Sequence, residues 1–187
     1  MVDLIYPEIA APLCDGASKS RSVEMLPVVD IYGSVIRQAP RSFCHSHPEI
    51  LHPVVHLFLL DWKGRVYLQM RSFEKDVYPL CWDMSAGGHI SYGETVMEAL
   101  AREVEEELGL TDYNPVFLGT SVRESTEESE LSYVFAAVGD FKPVPDDAEI
   151  EETKWWTDDE IASSKGPFTP VFLSEYSTFK DKLKSLL

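Results

Sequence analysis

The nonapeptide REVEEELGL, residues 102–110, carries four glutamates. No other stretch limits so sharply what this chain can become. Crowded carboxylates repel and raise each other's pKa, so a fold that keeps them together needs positive charge among them. On a helix turning about 100° per residue, Glu103, Glu106 and Glu107 share one face, whereas Glu98 and Glu105 point elsewhere. Met97, Leu100, Val104 and Leu108 form a neighbouring apolar stripe that would pack on a sheet. Alone, such a run reads as a solvated acidic face. Here the three carboxylates lie beside the buried stripe, and GGHISYGE stands just upstream. Hard oxygens converging from one helix face suit Mg²⁺ or Mn²⁺, and a Gly-rich turn lets backbone approach metal or phosphate. Arg102 is positioned to hold one carboxylate in place.

The rest of the chain frames that helix. With 187 residues it has length for one sizeable core, and 44% hydrophobic residues mark a folding sequence. The formal charge of −16, with no Lys/Arg cluster, argues against nucleic acid as a partner. An anionic substrate would need a bound cation as a bridge. Cys14, Cys44 and Cys81 form no metal spacing and leave an odd thiol, which suits a reducing compartment. No apolar run has the length of a membrane span, and the first residues lack a basic n-region. A cytoplasmic protein without a membrane partner is expected.

PVVDIYGSVI reads as a hairpin turning at Asp30 to Gly33. VVHLFLL and RVYLQM read as strands around a DWKG turn, and VFLGTSV, LSYVFAAV and a segment ending in KWW as further strands. A helix is expected over 94–108, stopped by Gly109. TDDE at 157–160 has capping-box spacing, and Thr169-Pro170 opens a last helix whose Val171, Phe172, Phe179 and Leu183 line one side. RSFCHSHPEILH, 41–52, carries no clear signal. The pattern is that of an α/β (α+β) chain, with an N-terminal extension over 1–27 and one domain over 28–187 that includes the C-terminal helix.

Gly88, five residues, Glu94, seven residues and then REVEEELGL match the Nudix box, G-x5-E-x7-R-E-U-x-E-E-x-G-U, at every specified position. Residues 28–160 resemble a Nudix domain. The resemblance implies an α/β/α sandwich around a mixed β-sheet and a hydrolase that cleaves a diphosphate bond in an organic diphosphate with Mg²⁺ or Mn²⁺. It implies Glu103, Glu106 and Glu107 as metal-holding catalytic residues, with the Gly88 carbonyl as an extra ligand. Glu94 and Arg102 would orient them. A homodimer is compatible with it, since dimers are common in the family.

Four of the five histidines fall between 45 and 56, and His89 adjoins the box. The subgroup of isopentenyl-diphosphate isomerases binds a metal through three histidines and two glutamates. The chain is similar there: His45, His52 and His89 match the histidines, Glu128 and Glu130 the glutamates. Arg71 and Lys75 match the cationic pair that holds the diphosphate. A second metal site and a structural role are equally compatible with the three histidines; His47 and His56 read as structural. Glu130 is also a candidate general base or, alternatively, an exposed loop acid in STEESE. The isomerases place a Cys where this chain has Gly87, and they commonly lack the full glutamate set. Hydrolysis is therefore the expectation and isopentenyl-diphosphate isomerisation the alternative. Trp62, Phe73, Tyr78 and Trp82 would stack on a base, cover an isoprenoid or, for most of them, fill the core.

Overall fold

The structure, a computed structural model, describes residues 23–75, 77–126, 128–146 and 148–187. Most of the extension expected over 1–27 lies outside the described residues. β1 (Met25–Val29) and β2 (Val35–Pro40) form the expected hairpin. Asp30 closes its turn by accepting the N–H groups of Tyr32 and Ser34, both at 2.9 Å, and Gly33 takes the positive φ the turn needs. The segment without a sequence signal contains α1 (Arg41–Ser46), a short helix that has no side-chain cap. It leads into β3 (Leu51–Leu60), which is buried along almost its whole length. A strand apolar on both faces belongs inside a sheet covered on both sides.

Around β3 the sheet assembles from β4 (Val66–Arg71), β5 (Trp82–Asp83), β6 (Ala86–His89), β7 (Val116–Glu124), β8 (Ser129–Val138) and β9 (Ile150–Trp156). The order is β5-β4-β3-β8-β7, with β6 on β3 and β9 on β4. β3 and β8 run parallel and the other pairs antiparallel, so the sheet is mixed.

Helices cover both faces. On one, Ala99, Leu100, Val104 and Leu108 of α2 (Val96–Leu108) pack on Val55, Leu57 and Leu59. On the other, Phe172, Tyr176 and Phe179 of α4 (Pro170–Lys184) pack on Phe58 and Leu68. This is the expected α/β/α layering. A fully buried side chain such as Phe172 contributes roughly 1.5–3 kcal/mol. α2 begins two residues later than expected, because Thr95 and Glu98 form a reciprocal capping box; Glu94 stays in the preceding loop. Gly109 stops it in the left-handed conformation. Met97, expected in the apolar stripe, is 51% exposed, because the helix turns its neighbour Val96 and not Met97 towards the core. α3 (Asp158–Ser163) carries the capping box expected at 157–160, and Thr169 caps α4.

Candidate active site

The chain turns from β6 through 90–95 into α2, and this turn sets the box geometry. A Cβ on Gly88 would collide with the Glu103 carboxylate, so only glycine lets that carboxylate lie on the backbone. Arg102 is the positive charge that crowded glutamates require. It donates two bonds to Glu94, at 2.9 and 3.0 Å, and one each to Glu103 at 2.7 Å and Glu106 at 3.2 Å. It also donates to the His89 carbonyl at 3.0 Å, tying loop to helix. Burial would raise Glu94, but the Arg102 bonds outweigh it and hold its pKa below the ordinary value.

Glu103 and Glu107 behave differently. Burial raises both, Glu107 to about 8, against the opposing bonds from Arg102 and from the Gly87 N–H. Glu107 accepts from Gly87 N at 3.0 Å and from Gln69 Nε2 at 3.1 Å, whereas Glu106 is well exposed. Asp146 and Glu149 join the three box glutamates around a side cavity of about 250 Å³, and the Glu149 charge adds to the raised pKa of Glu103 and Glu107. The sequence reading missed Gln69 and Glu149, which lie on other strands or loops.

The second constellation also converges. His45 on α1, His52 on β3 and His89 on β6 offer ring nitrogens within 4.8 Å of one another, and His52 does the same with Glu128 and Glu130. His45 Nε2 lies 3.0 Å from His89 Nε2. Strand register sets His52 opposite Glu130 across the parallel β3–β8 pair. Burial lowers the pKa of His52 to about 4 and that of His89 well below its ordinary value, so both rings are neutral near pH 7. His52 Nδ1 donates to the Ile50 carbonyl at 3.3 Å, which leaves Nε2 as an acceptor. That nitrogen is buried and finds no partner among the described residues. A divalent cation fits such a lone pair, and the box carboxylates offer the hard oxygens a second cation takes. Glu130 is buried on β8 and not an exposed loop acid, and burial with the adjacent Glu128 raises its pKa to about 7.

Both constellations open on one cleft of about 400 Å³, also lined by Arg71, Lys75, Arg123 and Tyr78. Arg71 contacts Asp83 at 3.4 Å and Lys75 contacts Glu149 at 2.8 Å, so each expected diphosphate-holding cation is already engaged by an acid. Of the four aromatics, only Trp82 is core, packed edge-on against Trp156. Trp62 and Phe73 are exposed and do not line the cleft; Tyr78 lines it and accepts from Arg123 at 3.1 Å. His47 stacks on Phe43, as a structural residue does. His56, also expected to be structural, lines the cleft and pairs with Glu175 of α4.

An α/β/α sandwich with a glycine turn feeding an Arg-clamped glutamate helix defines a Nudix-type enzyme. The chain belongs to that family: the NUDIX domain matches residues 50–175. Membership supports a diphosphate-cleaving hydrolase in general, and Nudix enzymes generally use divalent metal ions. An isopentenyl-diphosphate Delta-isomerase of Streptomyces griseus is 31% identical over 170 residues, covering 87% of this chain and 86% of that one. An uncharacterized Nudix hydrolase of Nostoc sp. is 35% identical over 138 residues, covering 72% and 81%. A solved structure from Deinococcus radiodurans superposes with a TM-score of 0.66 at 26% identity, over 81% of this chain and 96% of that one. The NUDIX domain of Shewanella oneidensis NrtR, solved with ADP ribose, shares the fold at 16% identity and a TM-score of 0.60, over 70% and 87%. Among the described residues no helix is long and apolar enough to cross a membrane.

Proposed function

We propose that the protein hydrolyses a diphosphate bond in a small nucleoside-diphosphate-linked or other organic diphosphate, with Mg²⁺ or Mn²⁺ held by Glu103, Glu106, Glu107 and the Gly88 carbonyl. The observation that carries this reading is the complete glutamate set folded against Gly87 and Gly88 of β6, with Glu107 buried at the cleft wall. Divalent cations there would neutralise the diphosphate and acidify the attacking water. Arg102 fixes the Glu103 rotamer, and Gln69 with the Gly87 N–H fixes that of Glu107. Arg71 and Lys75 would exchange Asp83 and Glu149 for phosphate oxygens. Glu130, with its raised pKa, suits a base that takes a proton near neutral pH.

A second reading, isopentenyl-diphosphate isomerisation, is favoured by the meeting of His45, His52, His89, Glu128 and Glu130 and by the name of the Streptomyces relative. Gly87 weighs against it. A Cβ there would lie 2.7 Å from His56 Cδ2, so the space of the isomerases' Cys is already filled by a ring. Phosphorus NMR of the protein with Mg²⁺ and a pooled panel separates the two: nucleoside di- and triphosphates, ADP-ribose, NADH, a CoA ester and isopentenyl diphosphate. New phosphate or monophosphate signals are expected. Conversion of isopentenyl diphosphate alone, with both phosphates kept, would overturn hydrolysis in favour of isomerisation.

A further inference from the structure

His56 sits where side chains from three elements meet. On β3 the alternation of the strand puts His52, Val54 and His56 on one face, and Val54 and His56 line the cleft. Register pairs His56 with Gly87. A Cβ on residue 87 would meet the Cδ2–Nε2 edge of the ring, at 2.7 and 3.5 Å, so this edge lies over the glycine. The opposite edge is anchored. Nδ1 lies 3.0 and 2.9 Å from the two Glu175 oxygens, and Glu175 is 1% exposed. A carboxylate out of reach of water makes Nδ1 a donor to it. Nε2 takes no hydrogen bond from or to the described residues. Unlike the sealed Nε2 of His52, it is not a buried orphan.

A pair of this kind is a poor device for stability alone, because well-packed apolar residues of similar volume often serve as well or better. Its geometry suits presentation of a hydrogen-bond donor. Glu175 from α4, Glu130 from β8 and Asp83 from β5 bring negative charge to the ring, and the neutral His89 stands on β6. Burial alone would lower the His56 pKa; these charges and the Glu175 bond carry it to about 9, so Nε2 bears a proton at pH 7.

We infer that His56, anchored by Glu175, is a catalytic residue whose Nε2–H donates a hydrogen bond to a phosphate oxygen of the bound diphosphate, from the floor shared by the box glutamates and Glu130. The inference rests on the diphosphate reading above. A donor fixed by a buried carboxylate needs no reorganisation as charge grows on phosphate oxygens. It also gives Gly87 a purpose: any side chain there would push the ring from the floor.

The test uses the full chain with isotope-labelled histidine, Mg²⁺ and methylenediphosphonate, a non-hydrolysable diphosphate. His56 ring signals are assigned by H56Q. Binding, followed by calorimetry, is expected to shift the His56 Nε2 signal and to slow exchange of its proton. E175Q keeps an acceptor for Nδ1 but removes the charge, so His56 should titrate nearer its ordinary value. Relative to wild type, E175Q should bind the bisphosphonate about equally at ~pH 6 and about 10-fold more weakly at ~pH 8.5. Binding that leaves the His56 signals unmoved overturns the inference and leaves the hydrolase reading standing. An E175Q deficit equal at both pH values also overturns it, because that is the mark of a merely structural pair. Absence of bisphosphonate binding by wild type removes the diphosphate reading and this inference with it. Should E175Q fail to fold, the wild-type titration decides by the same criteria.

Discussion

The two acidic banks of the cleft are built on opposite principles. The box bank is all oxygen, balanced by one arginine, and graded from a buried Glu107 to a well exposed Glu106. Such a site keeps room for water and suits a hard cation that comes and goes with substrate. The histidine bank mixes nitrogen and oxygen. Burial keeps the His52 and His89 rings neutral, and the His52 Nε2 lone pair is sealed from solvent. Such a site suits an ion held before substrate arrives. On the proposed reading, one cleft would join a labile site to a closed one, and chemistry on the diphosphate is expected from the labile side.

Glu107→Gln is the sharpest way to break that comparison. It should cut kcat for the diphosphate consumed in the phosphorus-NMR panel by about 100-fold or more, judged by the loss of a group that stabilises developing charge. Without added metal the Tm should hold near neutral pH and rise at ~pH 9, where wild type buries an ionised carboxylate and the variant does not. Turnover near the wild-type rate would remove Glu107 from the reaction.

His52→Ala is next. Wild type is expected to retain a metal through purification, and this variant should lose it as the histidine bank empties. Hydrolysis should fall by roughly 10-fold, less than in Glu107→Gln, as expected for a group at one remove from the reacting phosphate. Equal losses in the two variants would mean the banks act as one site.

What the sequence made legible tracks distance along the chain. The box lies within 88–110, so its glycine, glutamates and arginine meet through one turn and one helix, and spacing alone suggested that Arg102 pairs with a box carboxylate. Gly109 and the Thr157 and Thr169 caps were legible for the same local reason. α1 was not: it is a single turn and a half without an N-cap side chain, so no capping signal exists to read. Gln69 and Glu107 are 38 residues apart, and His56 and Glu175 are 119 apart. Only the place of β4 in the sheet facing α2 and the packing of α4 on β3 bring those pairs together, and periodicity carries no trace of either. Trp62 and Phe73 mislead for another reason, since an apolar side chain does not by itself specify burial.

Gly87→Cys tests whether one residue separates hydrolase from isomerase. Its Cβ would press on the His56 ring at 2.7 Å and on the Val55 carbonyl at 3.0 Å. Overpacking of this kind costs about 1–3 kcal/mol, or a Tm lower by roughly 2–10 °C in a chain of this size. No isomerisation of isopentenyl diphosphate is expected, because the ring and the thiol compete for one space. A stable variant that isomerises would mean His56 yields readily, and the two chemistries would then differ by a single side chain.

The smallest effect is a pH dependence that tells which bank a cation reaches. Glu107 ionises near 8 in the fold against an ordinary 4.5. Between those values the folded state holds a proton that the unfolded chain has lost, so stability from this group is full below 4.5 and is lost as pH rises through 8. Glu130, raised to about 7, contributes with the same sign over a narrower window. A cation takes the ionised carboxylate and cancels the penalty. Added Mg²⁺ should therefore raise the Tm by a few degrees more at ~pH 9 than at ~pH 6. In Glu107→Gln most of that difference should vanish, whereas His52→Ala should keep it. If His52→Ala removes it instead, the ion that stabilises the fold sits in the histidine bank, and the assignment of labile and closed sites is reversed.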